Sequence, residues 1–432
     1  MPSVTVTGDS QPTRKRHLQT GAVLLLALLL RLLVLRVVAV KFPPGWIFTK
    51  GIEMGLLAKS VLAGHGLSSP FGPPTGPTAF IAPGYPLLIA GVFRLFGSES
   101  VASAMFIVSI QIVLSLVTVW LMMYIARLLF DPSVAIWAGL VWACSPPILW
   151  IPTIFWDTSL AICLLTGLVA LVLRFRGRIS TAVWLFLGAY AAVTALINPA
   201  MLPALMAIVG WLAWQQRAAV RTGILFAALA FVVVFSPWPI RNARVFHAFI
   251  PLRTTVGFEL WMGNRPGATG FLDQSLFPSF NRQELDDYKA RGELGYTAHK
   301  SDLAKQFILS HPSTFARLTA IRIGRYWLGT GAENGSALFA LHAGFTSGFG
   351  LLGLWLLFRR KRYDVGILFT LPLLLFPFPY YITHAEFRYR LALDTLLTIL
   401  AAYAIVTLYR LMDKRSRLAR ANPDNAMRPV HG

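Results

Sequence analysis

Charged residues are scarce in this sequence of 432 residues, because only 13% are Asp, Glu, Lys or Arg while 56% are hydrophobic. A soluble globular protein carries about 25% charged residues, so the composition excludes an ordinary soluble domain. The mean hydropathy of +0.62 agrees, and apolar runs long enough to cross a bilayer recur along the chain. The sequence predicts an all-α integral membrane protein.

Cysteine is also scarce. The two thiols, Cys144 and Cys163, both lie inside apolar runs. There is no CxxC and no Cys/His spacing typical of a metal site, which excludes a disulfide framework and a cysteine-based metal centre. Both residues are interpreted as small core hydrophobes.

Acidic residues are outnumbered, with 18 acids against 39 Lys and Arg, so the formal net charge is +21. Such a charge could indicate nucleic-acid binding, but the basic residues lie in short loops between apolar runs, as the positive-inside rule predicts for cytoplasmic loops. We expect these loops to contact membrane lipids, and we expect no nucleic-acid partner. The basic loops contain Arg14, Lys15 and Arg16; Arg174, Arg176 and Arg178; Arg217 and Arg221; Arg359, Arg360, Lys361 and Arg362; and Lys414, Arg415, Arg417 and Arg420.

The apolar runs predict about ten transmembrane helices, with both termini in the cytoplasm. They fall near 21–40, 101–129, 133–151, 157–173, 180–197, 200–215, 222–238, 337–358, 365–383 and 391–411. The expected organisation is a polar tail (1–18), an N-terminal membrane module (19–238), a periplasmic segment (239–335), C-terminal membrane helices (336–411) and a basic tail (412–432).

Two segments on the non-cytoplasmic side are longer than simple connectors. In 41–97, a short helix from about Lys50 to Ala63 precedes a stretch rich in Gly, Pro and Thr, whose backbone polar groups cannot be satisfied in lipid. A short apolar helix, 85–96, closes this segment. In 239–335, the pattern predicts amphipathic helices over about 295–309 and 313–328, and a glycine-rich turn or plain loop over 257–270.

Two acids are candidates for chemistry at the outer surface. Glu53 lies on the short helix and Asp157 precedes an apolar run, and an acid at the rim of a helical bundle is costly unless it faces a cavity or a partner. Two simpler interpretations stay open at this point. Glu53 could be a solvated acid paired with Lys50, and Asp157 could cap the helix that follows it.

Two outer clusters of cations are candidates for phosphate binding, since a guanidinium matches phosphate geometry with paired hydrogen bonds. The alternative is ion pairing within the clusters, for example between Glu386 and Arg390. The first cluster contains Arg241, Arg244, His247 and Arg253, and the second contains His384, Glu386, Arg388 and Arg390.

Several stretches, in this order, resemble integral-membrane glycosyltransferases of the GT-C superfamily. The match is closest to bacterial members of glycosyltransferase family 39, in the branch of the dolichyl-phosphate-mannose–protein mannosyltransferases and lipid A aminoarabinose transferases. The matching stretches are GIEMGLLAKSVLAGHGLSSPFG, TGPTAFIAPGYPLLIAGVFRLFG, INPA at 197–200, SPWPIRNARVFHAFIPLRTTVGFELWMGNRPGATG and YYITHAEFRYRLALDTLL.

The resemblance implies a site. Glu53 stands where the family has its catalytic acid, although many relatives carry Asp there, and Asp157 is similar to a second outer acid that orients the acceptor or binds a divalent cation. The family's RN and RY segments correspond to Arg241 with Asn242 and to Arg388 with Tyr389. The substrate-binding residues expected on this basis are Tyr85, Arg241, Asn242, Arg253, His384, Glu386, Arg388 and Tyr389.

The resemblance also implies a GT-C-like bundle and an inverting transfer of sugar from polyprenyl phosphate to a lipid, glycan or protein acceptor. The expected location is the bacterial inner membrane, with the active site facing the periplasm. A divalent cation, Mg²⁺, Mn²⁺ or Zn²⁺, is a compatible cofactor, and the residues do not identify its ligands. A transporter or flippase of a lipid-linked or anionic solute is the alternative, and a catalytically silent scaffold is the third.

Overall fold

The computed structural model describes residues 13–43, 45–49, 51–177, 179–216, 220–329 and 337–421. Most of the polar tail, Lys50, Arg178, Arg217, part of the expected periplasmic segment and the end of the basic tail lie outside the described residues. The described residues are helical and contain no β-strand.

Most helices follow one another with short connections, and the two long connections are 63–83 and 264–281. In chain order they are α1 (Thr13–Lys41), α2 (Ile52–Leu62), α3 (Gly84–Phe96), α4 (Val101–Leu129), α5 (Pro132–Ala143), α6 (Pro146–Trp150), α7 (Thr158–Phe175), α8 (Thr181–Ile197), α9 (Leu202–Gln215), α10 (Val220–Phe235), α11 (Pro237–Phe246), α12 (Val256–Gly263), α13 (Arg282–Ser310), α14 (Pro312–Leu328), α15 (Ala337–Arg359), α16 (Tyr363–Leu375), α17 (Phe378–Ile382) and α18 (Leu391–Ala421).

The predicted all-α membrane bundle is confirmed, and all ten apolar runs are helical. Six helices in the described ranges are long and apolar enough to cross a membrane, or up to eight if the bent pairs 132–143 with 146–153 and 221–235 with 237–246 each form one span. The count of ten includes two shorter helices, Thr181–Ile197 and Pro199–Gln215. Each is about 25 Å long at 1.5 Å per residue, less than the roughly 30 Å hydrocarbon core.

Helix α18 is the centre of the bundle. In its most apolar window 89% of the residues are buried inside the protein, against 22% for α1. Gly350 and Gly353 of α15 let that helix lie directly on α18, because a Cβ at position 353 would lie 2.1 Å from the carbonyl oxygen of Leu400. Small residues at such crossings are typical of membrane helices that pack backbone to backbone.

The basic loops meet at one end of the bundle. Arg410 binds Asp131 at 2.8 Å, and Arg362 donates to the carbonyl oxygen of Leu129 at 2.7 Å. These contacts join the α4–α5 and α15–α16 loops to the C-terminal part of α18. These basic segments lie on the same side of the bundle, as predicted. That this side faces the cytoplasm stays a prediction.

The opening outer segment folds as predicted around a short helix, whereas two boundaries in the second segment differ. Residues 256–263 form helix α12 instead of the turn or loop predicted there. Helix α13 begins at Arg282, before the predicted start near Gly295, because the Asn281 side chain accepts the amide of Glu284 and so caps an earlier turn. A kink at Gly292 separates this added turn region from the predicted helix.

Candidate active site

A cavity of about 270 Å³ opens between α2, the start of α7, α12 and the segment that leads into α18. Its lining is charged at several points although most of its wall is apolar. Glu53, Asp157, Arg253, His384, Arg388 and Tyr389, all predicted site residues, line this cavity together with Glu259.

A glycine fixes the position of Glu53 against the segment that carries Asp157. Gly51 precedes α2 with φ 74°, a conformation that favours glycine. A Cβ there would lie 2.3 Å from the carbonyl oxygen of Phe155 and 2.9 Å from the Trp156 ring. The first turn of α2 therefore packs directly on residues 155–156, which brings both acids to one cavity.

The carboxylate of Glu53 is unpaired. Within the part of the chain that the structure describes, it forms no ion pair and no hydrogen bond to another side chain. Burial raises the pKa of Glu53, while its own backbone amide and the charge of Arg388 oppose that shift. Lys50, the partner in the simpler interpretation, lies outside the described residues. A carboxylate with a raised pKa is a stronger base than an ordinary one, which suits a group that accepts a proton.

Asp157 precedes α7 but does not cap it, since its side chain forms no capping hydrogen bond. Instead, Asn198 Nδ2 donates to Asp157 Oδ2 at 3.3 Å. The Asn198 side chain is itself held by the amide of Ala200, which donates to its oxygen at 3.2 Å. The INPA segment therefore orients Asp157, a role that the sequence did not indicate.

Arg388 is anchored through only part of its guanidinium group. Its Nε donates to Glu386 Oε2 at 2.7 Å, and its guanidinium carbon lies 4.3 Å from the centre of the Trp156 ring. No residue in the described ranges accepts from its two terminal nitrogens. The pairing of Glu386 with Arg390 considered from the sequence is wrong, because Arg390 binds Asp394 instead.

Arg253 supplies a second cation to the same wall. It lines the cavity, and its side chain forms no hydrogen bond or ion pair with any residue that the structure describes. Two guanidinium groups with free donors thus face a largely apolar cavity that also contains unpaired acids. An anionic ligand would satisfy both groups.

Glu259 is a site residue that the sequence analysis missed. Its Oε2 lies 3.1 Å from Nδ1 of His384, without the alignment of a hydrogen bond, and His384 Nε2 lies 3.0 Å from the hydroxyl of Tyr389. Burial raises the pKa of Glu259 and lowers the pKa of His384 to about 4. The available signal was the spacing of the buried residues Phe258 and Met262, which is typical of a helix.

Four predicted substrate-binding residues do not line the cavity. Glu386 contacts the cavity wall only through its ion pair with Arg388. Arg241 donates to the carbonyl oxygens of Thr78 and Leu67 at 2.7 and 2.8 Å, and Asn242 donates to that of Ile250 at 3.0 Å. These bonds fasten the outer loops to α11. Tyr85 is buried in the core behind the cavity wall.

The described acids of the cavity are not arranged as a metal-binding cluster. Of the residues that the structure describes, no three His, Cys, Asp or Glu side chains lie close enough together to hold a metal ion. The described side chains therefore do not fit a metal held by three protein ligands.

Residues 80–240 match the family model for dolichyl-phosphate-mannose-protein mannosyltransferase. This stretch contains Asp157 and Asn198 of the cavity. No curated protein matches the chain.

Three solved structures of the oligosaccharyltransferase from Archaeoglobus fulgidus have a similar fold. The complex of that protein, AglB, with an inhibitory peptide and a dolichol-phosphate aligns with a TM-score of 0.51 at 12% identity over 93% of this chain and 52% of that chain. The complex with Zn and sulfate gives 0.52 at 13% identity over 94% and 51%. The form tethered to an acceptor peptide gives 0.51 at 15% identity over 96% and 52%.

The chain spans about half the length of these solved proteins, and identities this low report on the fold. The predicted resemblance is confirmed at that level. The chain is a multi-pass membrane protein whose fold is similar to that of the archaeal oligosaccharyltransferase, and its residues 80–240 resemble the dolichyl-phosphate-mannose-protein mannosyltransferases.

Proposed function

We propose that the protein is an inverting glycosyltransferase that transfers a sugar from a polyprenyl-phosphate donor to an acceptor hydroxyl or amide. The observation that carries the proposal is that Glu53, Asp157 and Arg388 line one cavity. The family match supports transfer of a sugar from a lipid phosphate. One solved structure of the archaeal oligosaccharyltransferase is a complex with a dolichol-phosphate and an inhibitory peptide, which supports a lipid-linked donor here.

The cations of the cavity would bind the donor phosphate. Arg253 and Arg388 both offer unpaired guanidinium nitrogens to the cavity. As the bond between the anomeric carbon and the phosphate oxygen breaks, negative charge develops on the leaving phosphate, and fixed cations stabilise that charge more than they stabilise the ground state. The polyprenyl tail would leave the cavity between the surrounding apolar helices.

Glu53 would act as the general base. The acceptor O–H or N–H proton passes to the Glu53 carboxylate while the acceptor atom bonds to the anomeric carbon and the phosphate leaves with the bonding electron pair. This single displacement inverts the anomeric configuration. Asp157, oriented by Asn198, would position the acceptor opposite the leaving group.

Glu259 and His384 would contact the sugar. The Glu259 carboxyl group lines the cavity and can form hydrogen bonds with sugar hydroxyls, while His384 is neutral near neutral pH because burial lowers its pKa to about 4. These polar groups next to two arginines suit a sugar attached to a charged phosphate.

The proposed setting is the bacterial inner membrane, with this cavity facing the periplasm and both termini in the cytoplasm. Lipids, glycans and proteins are the acceptor classes to compare, since one solved relative was tethered to an acceptor peptide. Another relative was crystallised with Zn. The described residues do not fit a three-ligand metal site, so none of the steps above runs through a metal.

Transfer of radiolabelled sugar tests the proposal. The purified protein is reconstituted in vesicles with radiolabelled polyprenyl-phosphate sugar and with lipid, glycan or peptide acceptors, and the label in each acceptor is counted. We expect label in one acceptor class and loss of that transfer in Glu53→Gln. Movement of intact donor across the bilayer without transfer would support the transporter alternative and overturn the enzyme.

A further inference from the structure

A second cavity, of about 360 Å³, lies at the opposite end of the bundle from the candidate active site. Arg388 stands just before α18 and Arg410 lies near its other end, and at 1.5 Å per residue the part of α18 between them is about 30 Å long. That length equals the thickness of a bilayer core. The second cavity therefore lies at the level of the other membrane surface.

Four cations and one acid line this cavity, so its net charge is +3. The cations come from two places, the α15–α16 turn and the C-terminal part of α18, and the acid comes from the α4–α5 loop. They are Arg360, Arg362, Arg410, Lys414 and Asp131.

The two arginines of the turn are held in place by one nitrogen each. Arg360 Nη1 donates to the Tyr403 hydroxyl at 3.2 Å, and Arg362 Nη1 donates to the carbonyl oxygen of Leu129 at 2.7 Å. Their guanidinium carbons lie 5.7 Å from the Tyr403 ring and 5.3 Å from the Phe130 ring. These contacts fix both groups, while their remaining nitrogens donate to no residue in the described ranges.

The acid of this cavity, Asp131, already has hydrogen-bond partners. It caps α5, and its carboxylate accepts hydrogen bonds from both terminal nitrogens of Arg410, at 2.8 and 3.1 Å. Lys414, one turn further along α18, forms no hydrogen bond or ion pair in the described ranges. In the described ranges, Arg360, Arg362 and Lys414 therefore form no ion pair with a carboxylate, although Asp364 acts on Arg362 at longer range.

Apolar surface continues from the cations toward the lipid. Leu411 lines the same cavity, and the neighbouring Tyr409 and Met412 are 70% and 68% exposed. A ligand at this position would meet positive charge at one end and apolar side chains at the other. This is the chemistry of a phospholipid with an anionic phosphate headgroup.

We propose that this cavity is a specific phosphate-binding site for an anionic phospholipid of the membrane leaflet opposite the candidate active site. The guanidinium nitrogens of Arg360 and Arg362 and the Lys414 ammonium bind the headgroup phosphate, and the acyl chains lie along Leu411 and the neighbouring surface of α18. This site is independent of the proposed glycosyl transfer.

The test compares two double variants with the same change in charge. Arg360→Gln with Lys414→Gln alters the cavity, whereas Arg359→Gln with Arg415→Gln alters adjacent residues that do not line it. The full-length protein is placed in nanodiscs of phosphatidylcholine with or without phosphatidylglycerol, and both the melting temperature and the number of retained lipids by native mass spectrometry are measured. Inorganic phosphate is added to the phosphatidylcholine sample as a separate arm.

We expect phosphatidylglycerol to raise the melting temperature of the wild type and of the control double variant. The cavity double variant should lose most of that rise, and it should retain at least fivefold less anionic lipid than the wild type. Equal losses in both double variants would indicate general surface attraction and overturn the site. An equal rise with inorganic phosphate alone would assign the cavity to free phosphate and overturn the lipid. If the double cavity variant does not fold, Lys414→Gln alone, which breaks no described bond, is measured in the same way.

Discussion

Two arginines that stand two positions apart before α18 have opposite surroundings. Arg390 uses every nitrogen: Nε binds both oxygens of Asp394 at 3.0 Å, Nη1 donates to the backbone of Tyr326 and Trp327 at 2.9 and 2.8 Å, and Nη2 binds Thr346 at 2.9 Å. Arg388 uses only Nε, in its bond to Glu386.

The difference separates a structural network from a binding site. A buried charge with every donor satisfied holds its neighbours in a single arrangement, and Asp394 extends that network to His342 at 3.2 Å. A buried charge with free donors is costly until a ligand binds it. We therefore expect the loss of Arg390 to affect folding and the loss of Arg388 to affect the donor.

The largest effect should come from Glu53, which has no ion-pair partner among the residues that the structure describes. Glu53→Gln should lower the rate of sugar transfer by on the order of 10²–10⁴-fold, the usual contribution of a general base, without lowering the melting temperature, because burial already opposes the charged form. Initial rates and thermal unfolding of the same preparation check this.

The matched control for that change is Glu99→Gln, which removes an acid of the same outer segment that is exposed and paired with Lys59 at 2.9 Å. It should retain most of the transfer activity. Equal losses in the two variants would remove Glu53 from the chemistry.

Arg390→Met should destabilise the protein by about 3–5 kcal/mol, because it leaves the buried Asp394 carboxylate without its cation. The measurement is the melting temperature in a fixed detergent. The double variant Arg390→Met with Asp394→Leu removes both charges and should recover part of the loss. A stable, fully folded single variant would contradict the structural assignment of Arg390.

Arg388→Gln should lower the melting temperature less than Arg390→Met does, because the Gln amide can still donate to Glu386. It should raise the KM for the lipid donor by about 10–100-fold, since hydrogen bonds to a charged group contribute about 1.5–3 kcal/mol. The acceptor KM should change much less. Donor and acceptor titrations distinguish these outcomes, and an unchanged donor KM would show that the phosphate does not bind Arg388.

Much of the fold was predictable, because long apolar runs determine membrane helices through local composition alone. Glu53, Asp157, Arg253 and Arg388, which line one cavity, were predicted as site residues for a related reason: charge at the rim of an apolar bundle is energetically costly. Where local rules compete with packing between distant segments, prediction failed. Glu386 and Arg390 have helical i, i+4 spacing, but α18 begins only at Leu391, so this pairing does not form.

The contacts of the outer loops could not be predicted from the sequence. Arg241 and Glu259 both lie in the segment after α10, and nothing local distinguishes the arginine that fastens backbone carbonyls from the acid that enters the cavity. Glycines at 257, 263 and 270 favoured a turn or loop there. In the folded protein Gly263 is needed where α12 packs on Thr383, since a Cβ would lie 1.6 Å from its carbonyl oxygen.

The pH dependence of sugar transfer should report the pKa of Glu53 and the influence of Arg388 on it. The base must be ionised, so transfer should fall as pH decreases through the raised pKa of Glu53. The folded protein binds this proton more tightly than the unfolded chain, so ionising Glu53 should also cost stability as pH rises. Because the charge of Arg388 opposes the raised pKa, Arg388→Gln should move the acidic limb of the rate profile to higher pH. A limb that moves to lower pH would contradict the proximity of the two groups.

The smallest effect should follow from Asn198, a cavity residue that we expect to act on the reaction by orienting Asp157. Asn198→Ala removes its 3.3 Å hydrogen bond to Asp157 and the bond that it accepts from the Ala200 amide. The bond to Asp157 contributes about 0.5–1.5 kcal/mol, so transfer should fall by about 2–12-fold. Asp157→Asn should lower the rate of transfer further, because it removes the charge of the carboxylate and also alters this hydrogen bond. In a background that already carries Asp157→Asn, Asn198→Ala should have little additional effect, since the residue that it orients has lost its role. Fully additive losses would mean that Asn198 contacts the substrate directly, and the INPA segment would then belong to the binding surface in its own right.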